Sequence, residues 1–458
     1  MRKVTVSMKC WPFTNVAQAS PPAIRCLFGG RGHRALAFAA AAAVAALIAL
    51  SPARGASGYL KPAVDEKILN KAEDRFGNGV ELYQRQNYRA ALRRFQAAET
   101  ICPELFAAGY HAALAYKKMG DQKAAVEQLK KLIARFPENI IAHNDLGVIH
   151  AGKNTDEDTQ LAMSQFETAI RNGENLLQGK EKTVRQVRVD LAMAYANAGG
   201  LHLGSGRLVE AEKSFRKAVE HHPNGFFGHF GLGNVLLAMK NFTEAKTSYR
   251  KAQQIEPKNA NVSIALAKCY LRQPDRNPRF AIAELRKVGE PERTAEYYDL
   301  LGDAYALLEE REEAVRNYTR SLKMPGHGLE VLYKLGAMYY NQEMYVESRK
   351  SLEEYIAQVK EGQQGTSALA HKLLGDIAKE QEDYKRAAAN YEKAVSIANS
   401  YWSAYYGLGE AFFYLKQYAD ARKHLHHVLS ALPEKGTAEE NELREKATEL
   451  LKKMLSAE

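Results

Sequence analysis

One spacing governs what this chain of 458 residues can fold into, because small side chains return every 34 positions along most of it. They fall at Gly79, Ala113, Gly147, Gly199, Gly233, Ala267, Gly302, Gly336, Gly375 and Gly409, separated by 34, 34, 52, 34, 34, 35, 34, 39 and 34 residues. Unrelated compact domains do not generate such regularity. By length alone the chain would divide into two to four domains of roughly 150 residues. An array instead grows by adding copies, with no new domain boundary.

Two further positions keep the same period. Twelve residues beyond each small side chain a second one recurs, at Ala91, Ala125, Ala211, Ala245, Ala314, Ser348, Ala387 and Ala421, with Ala162 and Ala281 displaced by short insertions. Four residues later stands a large apolar side chain: Phe95, Leu129, Phe166, Phe215, Tyr249, Leu285, Tyr318, Leu352, Tyr391 and Leu425. Small residues at facing positions let two antiparallel helices approach closely, and the ring or leucine fills the space beside them. Pro103, Pro137, Pro223, Pro257, Pro325 and Pro433 close many of the units, ending the second helix. A single hairpin cannot bury its apolar faces, so the expectation is about ten hairpins sharing one continuous core.

The segments FGHFGLGNVLLAMKNFTEAKTSYRKAQQIEP (227 to 257) and YYGLGEAFFYLKQYADARKHLHHVLSALP (405 to 433) resemble the tetratricopeptide repeat in length, order and residue type. The resemblance runs over about residues 72 to 433 and implies an all-α, right-handed superhelical solenoid of tandem antiparallel hairpins. The first unit departs from the pattern, with Arg75 and Asn78 at usually apolar positions, as do the third, with an insertion around Gly152 to Thr159, and the sixth, with Pro274 and Pro278. The interval of 52 residues places about 18 extra residues near Asn172 to Arg188, expected to extend a helix or form a surface loop. Residues 434 to 458 read as an amphipathic capping helix with Leu443, Ala447, Leu450, Leu451 and Met454 on one side.

The formal charge of +10 is unevenly placed. Residues 1 to 55 carry seven basic side chains and no acidic one, which leaves 57 basic against 54 acidic, or +3, on the rest. Arg31 and Arg34 precede an unbroken apolar run of 16 residues, Ala35 to Leu50, shorter than the roughly 20 needed to cross a bilayer. Small residues follow at Ser51, Ala53, Gly55 and Ala56. The leader reads as a secretory signal cleaved after Ala53 or Gly55, with residues 56 to 71 as a linker. An uncleaved membrane anchor is the rival reading, and it exports the same residues. Its compact apolar block argues against an amphipathic transit peptide. The segment before Arg31 is long for a signal, so translation starting at Met8 is a further possibility, and no adjacent arginines support twin-Arg export. The expected location is the bacterial periplasm, with membrane contact only through an uncleaved leader.

No nucleotide, zinc-protease or hydrolase signature is present: the chain lacks GxxxxGK[ST], HExxH and GxSxG. Gly228, Gly231 and Gly233 crowd together but follow no strand, so they do not make a phosphate loop. His424 and His427 share a helical face, yet the repeat register puts them on a second helix as surface residues. Cys102 and Cys269 lie about five repeats apart, out of disulfide reach in a stacked array, and read as packing residues. No cofactor, no metal and no catalytic role are expected. Nucleic acid is an improbable partner for a body carrying +3 with its charges interleaved.

The resemblance implies a concave groove lined by first-helix side chains. Carried over unit by unit, its wall comprises Tyr110, Asn144, Phe227, Phe230, Asn234, Asp299, Asp303, Tyr333, Tyr340, Asp376, Tyr406, Glu410 and Phe413. Lys117 and Lys118 stand near the turn. Rings flanked by carboxylates suit basic or aromatic peptide segments, and also sugars. The lysine and asparagine clamp with which some relatives grip a terminal carboxylate is not reproduced, because Asn144 and Asn234 lack accompanying basic residues. The expected function is a non-catalytic, exported scaffold binding protein or peptide partners, in assembly of an envelope, secretion or polymer-export complex. A self-associating array and a polysaccharide-binding protein are the alternatives.

Overall fold

The computed structural model describes residues 64–153, 155–178, 184–359, 366–434 and 436–455. The leader and its cleavage sites lie outside the described residues. Ten hairpins follow one another: α1 (Glu66–Gln84) with α2 (Tyr88–Ile101), α3 (Phe106–Lys118) with α4 (Gln122–Arg135), α5 (Ile140–Ala151) with α6 (Asp156–Gln178), α7 (Val184–Gly204) with α8 (Leu208–His221), and α9 (Phe226–Ala238) with α10 (Phe242–Ile255). The second half runs α11 (Ala260–Arg272) with α12 (Pro278–Leu285), α13 (Ala295–Leu307) with α14 (Arg311–Leu322), α15 (Glu330–Tyr340) with α16 (Tyr345–Gln358), α17 (Ser367–Glu380) with α18 (Tyr384–Ile397), and α19 (Trp402–Tyr414) with α20 (Tyr418–Ala431). Helix α21 (Ala438–Leu455) closes the array, and the described residues contain no strand. Each helix packs chiefly on the one before and the one after it. Several first helices also touch the first helices of neighbouring hairpins, which is the contact pattern of a solenoid.

Local chemistry sets these boundaries. Second helices α2, α4, α8, α10 and α20 each end two residues before a proline, whose ring excludes helical geometry from the residue preceding it. Inside most hairpins the turn is a left-handed residue followed at once by a helix cap. Gln86, Lys240, Glu309, Glu343, Glu382 and Lys416 take φ values of 59 to 63°, and Gly120 and Gly206 take 80 and 75°. Asn87, Asp121, Asn241 and Asp383 then accept a backbone N–H of the next helix.

The joint between the two helices of a hairpin explains the 34-residue period. A Cβ added at Gly79, Gly147, Gly233, Gly302 or Gly375 would lie 2.4–2.6 Å from a ring carbon of Phe95, Phe166, Tyr249, Tyr318 or Tyr391. Every aromatic therefore faces a glycine. Where the small residue is alanine, Ala113 and Ala267, the large one is Leu129 or Leu285. The next hairpin obeys the same demand: a Cβ on Gly231 would stand 2.0 Å from Phe215, and one on Gly407 2.7 Å from Tyr391. These rings are wedges between hairpins, which couples each repeat to its neighbour.

The irregular units have specific reasons. Helix α1 begins at Glu66, inside the stretch expected as a linker, because Asp65 caps it by accepting from Lys67. Arg75 and Asn78 are exposed, and no described element covers them. The described extra residues of the 52-residue interval go into helix: α6 has 23 residues and α7 has 21, and Leu176 and Leu177 pack with buried Val187. Pro278 does not break the sixth unit but opens α12, a second helix of only 8 residues capped by Asn277. At the far end, Ala447, Leu450 and Met454 of α21 are buried, and Arg444 donates to the terminal carbonyls of α20 at Leu429 and Leu432, both at 2.7 Å.

Candidate functional site: the wall of first helices

The position following the joint glycine lies on the first helix, and four of the candidate residues occupy it, Glu410 after Gly409 among them. Asn234, Asp303 and Asp376 each accept a hydrogen bond from the buried tyrosine fifteen residues later, at 2.7, 2.8 and 2.7 Å from Tyr249, Tyr318 and Tyr391. The ring that wedges the hairpins thus also fixes a polar side chain of the wall from behind. Burial, then the adjacent aspartate, drives the Tyr318 and Tyr391 phenols far above their ordinary range, so they remain protonated donors.

The C-terminal half of the wall is a set of closed ion pairs. Lys334 of α15 reaches back to Asp299 at 2.7 Å and to Asp303 at 2.8 Å on α13. Lys372 holds Asp376 within α17 at 2.6 Å, Lys379 crosses to Glu410 of α19 at 2.9 Å, and Lys268 of α11 meets Glu296 of α13 at 2.5 Å. Burial pushes the Asp299 carboxyl up against the pull of Lys334. For Lys334 burial acts downward, yet the carboxylates of Asp303 and Asp299 outweigh it and its ammonium sits above the usual lysine value. Glu410 likewise outweighs burial at Lys379. These lysines were not among the expected wall residues. Lys372, one helical turn before Asp376, was the most readable of them. Most of the acids of this wall therefore already have an internal cation.

Aromatic side chains remain half-exposed between those pairs: Tyr333 and Tyr340 on α15, Tyr406 and Phe413 on α19. Tyr406 lies 3.5 Å from Glu410, and burial followed by Glu410 raises its phenol above the ordinary range. In the N-terminal half Phe227 and Phe230 are half-buried, Phe230 stacking on Phe226 with centroids 5.4 Å apart.

Tyr110 and Asn144 have a different role from the one expected. Only 6% and 4% exposed, they form bonds inside the array. Tyr110 donates to buried Asp145 at 2.8 Å, and Asn144 accepts from Asn197 at 2.9 Å. Both bonds join first helices of adjacent hairpins, α3 to α5 and α5 to α7. Asp145 was not anticipated, because nothing in its spacing marks it as Tyr110's partner. Two histidines, His143 and His229, bond through Nε2 to Pro137 and Pro223, the carbonyl six residues earlier, tying first helices to the preceding turn.

The other singled-out residues serve packing. His424 stacks on Phe412 with centroids 5.7 Å apart, and His427 stands edge-on to Tyr405 at 4.7 Å. Cys102 and Cys269 are buried free thiols.

Models of the tetratricopeptide repeat match residues 107–139, 236–304, 295–326 and 378–437. The human protein O-mannosyl-transferase TMTC3 is 23% identical over 374 residues, covering 80% of this chain and 40% of that protein. A repeat-containing protein of Methanocaldococcus jannaschii, MJ1428, is 26% identical over 139 residues, 30% of this chain and 24% of its own length. The chain thus spans less than half of the curated relatives it matches. Among solved structures, PilF of Pseudomonas aeruginosa is similar with a TM-score of 0.41 and 21% identity, over 47% of this chain and 94% of that one. Tetratricopeptide repeats typically mediate protein–protein interaction. The hairpins within residues 107–139, 236–326 and 378–437 are tetratricopeptide repeats, and other described hairpins share their small-against-large joints.

Proposed function

We propose that this chain is an exported, non-catalytic scaffold that binds polypeptide segments along the wall of first helices, serving assembly of an envelope, secretion or polymer-export complex. One observation carries the binding reading: half-exposed rings on α15 and α19 stand among polar groups already fixed by buried hydrogen bonds and ion pairs. A wall held in this way loses little side-chain freedom on binding, so contacts with a partner translate into affinity. Export rests on the acid-free leader and its apolar run of 16 residues. The similarity to TMTC3 falls within a repeat-bearing chain, and the activity in that protein's name is not carried into this proposal.

A phage-displayed library of random decapeptides, panned on the full chain as purified from the cell that exports it, tests binding. Selected peptides should compete with one another and lose affinity on the triple variant Tyr333→Leu, Tyr340→Leu, Tyr406→Leu with its helical content unchanged. Selection of no peptide, or equal binding by the variant, overturns the binding reading. Cell fractionation with N-terminal sequencing tests export, and intact residues 1 to 55 on a cytosolic chain would refute it.

A further inference from the structure

The ion pairs of the C-terminal wall leave one seam open. Ionic bonds cross from α11 to α13 (Lys268 to Glu296), from α15 to α13 (Lys334 to Asp299 and Asp303) and from α17 to α19 (Lys379 to Glu410). Between α15 and α17 the described residues show none. Lys334 of α15 is turned away to α13, and Lys372 of α17 is occupied within its own helix by Asp376.

The residues at this seam have a distinctive order. Tyr333, Ala337 and Tyr340 succeed one another on α15 at spacings of four and three, so they share one face with the small residue in the middle. Seven residues of helix set the Cα atoms of the two tyrosines about 10 Å apart along α15, with a slot between them over the small side chain of Ala337. Tyr333 packs at a tilt against Tyr355 with centroids 6.0 Å apart, and Tyr340 against Tyr345 at 6.0 Å, so each ring is braced by a neighbour. Across the seam, Asp376 and Glu380 of α17 act on the Tyr340 hydroxyl, and Tyr333 and Asp376 on that of Tyr401.

Charge at the seam is unbalanced. Asp376 and Glu410 are matched by Lys372 and Lys379, while exposed Glu380 makes no ion pair among the described residues. A negative charge without an ion-pair partner thus stands near Tyr340, whose π-face, like that of Tyr333, attracts cations. Such a slot suits a flat, weakly hydrated cation, which can stack on a ring and bond a carboxylate at once; a compact ammonium keeps its water more tightly.

We infer that the slot between Tyr333 and Tyr340, bordered by Glu380, receives an arginine side chain of the bound polypeptide. This rests on the peptide-binding reading above and names the residue it selects. Guanidinium stacking on a ring with a carboxylate alongside gives the partner a register on the wall, because the slot occurs at one seam of the C-terminal half.

The test uses the display-selected decapeptides, resynthesised with a fluorescein label and measured by anisotropy against the full chain. Replacing their arginine by citrulline, which keeps shape and removes charge, should weaken binding at least tenfold, and replacing it by lysine several-fold. Glu380→Gln should weaken the arginine peptide about threefold or more and leave the citrulline peptide unchanged. Tyr333→Leu should show the same selectivity, with its thermal melt as the folding control. Selected peptides that bind regardless of arginine, or variants that weaken both peptides equally, overturn the slot while leaving peptide binding intact. Failure to select any peptide removes both proposals.

Discussion

The glycine–aromatic joint makes the sharpest prediction. In Gly302→Ala the new Cβ would meet Tyr318 ring carbons at 2.4, 2.5 and 2.9 Å, well inside contact distance. The ring has little freedom to retreat, since it is 2% exposed and its hydroxyl is fixed on Asp303 at 2.8 Å. Overpacking of this kind costs about 1–3 kcal/mol. Against it, alanine in a helix interior is favoured over glycine by about 1 kcal/mol, so an unobstructed site would gain stability. The expected net result is a loss of up to about 2 kcal/mol. Tyr318→Leu alone should also destabilise, through lost ring burial and the lost bond to Asp303. The double variant recreates the Ala113–Leu129 and Ala267–Leu285 combinations and should be no less stable than Tyr318→Leu by itself. Hydrogen exchange of the α13 and α14 amides is the assay, because an array need not unfold as one unit. A Gly302→Ala that gains the stability of an unobstructed site, or effects that simply add in the double variant, would refute the reasoning.

Three further outcomes are expected. Glu309→Gly, Glu343→Gly and Glu382→Gly, at φ near 60°, should each raise stability by about 0.5–1 kcal/mol in urea titrations, because glycine enters the left-handed region without steric cost. Arg444→Ala frees two carbonyls at the end of α20 and should lower local stability there by about 1–2 kcal/mol, read as faster exchange in α20 and α21 with α1 to α4 unchanged. Burial pushes the imidazoles of His202 and His221 below their ordinary value of 6.5. The unfolded chain therefore binds more protons, so their contribution is complete above pH 6.5 and declines as pH falls through the folded values. Exchange in α7 and α8 should quicken between pH 7.5 and 5.5 at matched intrinsic rates, and an unchanged protection factor would contradict this.

Much of the fold was legible because its determinants recur. A hairpin joint needs a small residue, a second small residue twelve further on and a large one at sixteen, and ten repetitions make that pattern stand out where one would not. The terminal cap over residues 434 to 458 was legible from its one-sided apolar residues, whereas Arg75 and Asn78 of the first unit look misplaced until the structure shows both exposed. The non-glycine turn residues, such as Lys240 and Glu309, carry no signal of their left-handed conformation, which the fixed spacing of two packed helices imposes on them.

Sequence by itself determined the period, the number of hairpins, the glycine placed under each aromatic ring, and the candidate wall positions of the first helices. Those properties depend on residues close in the chain or repeated along it. Tertiary structure alone decided which wall residues are available to a partner. Tyr110 is turned inward to Asp145, thirty-five positions away, and Lys334 is drawn from Tyr333's side to Asp299 and Asp303 of the preceding hairpin. Such pairings join neighbouring repeats, and whether a charge meets its counter-charge there depends on how two hairpins stack, which no single repeat encodes.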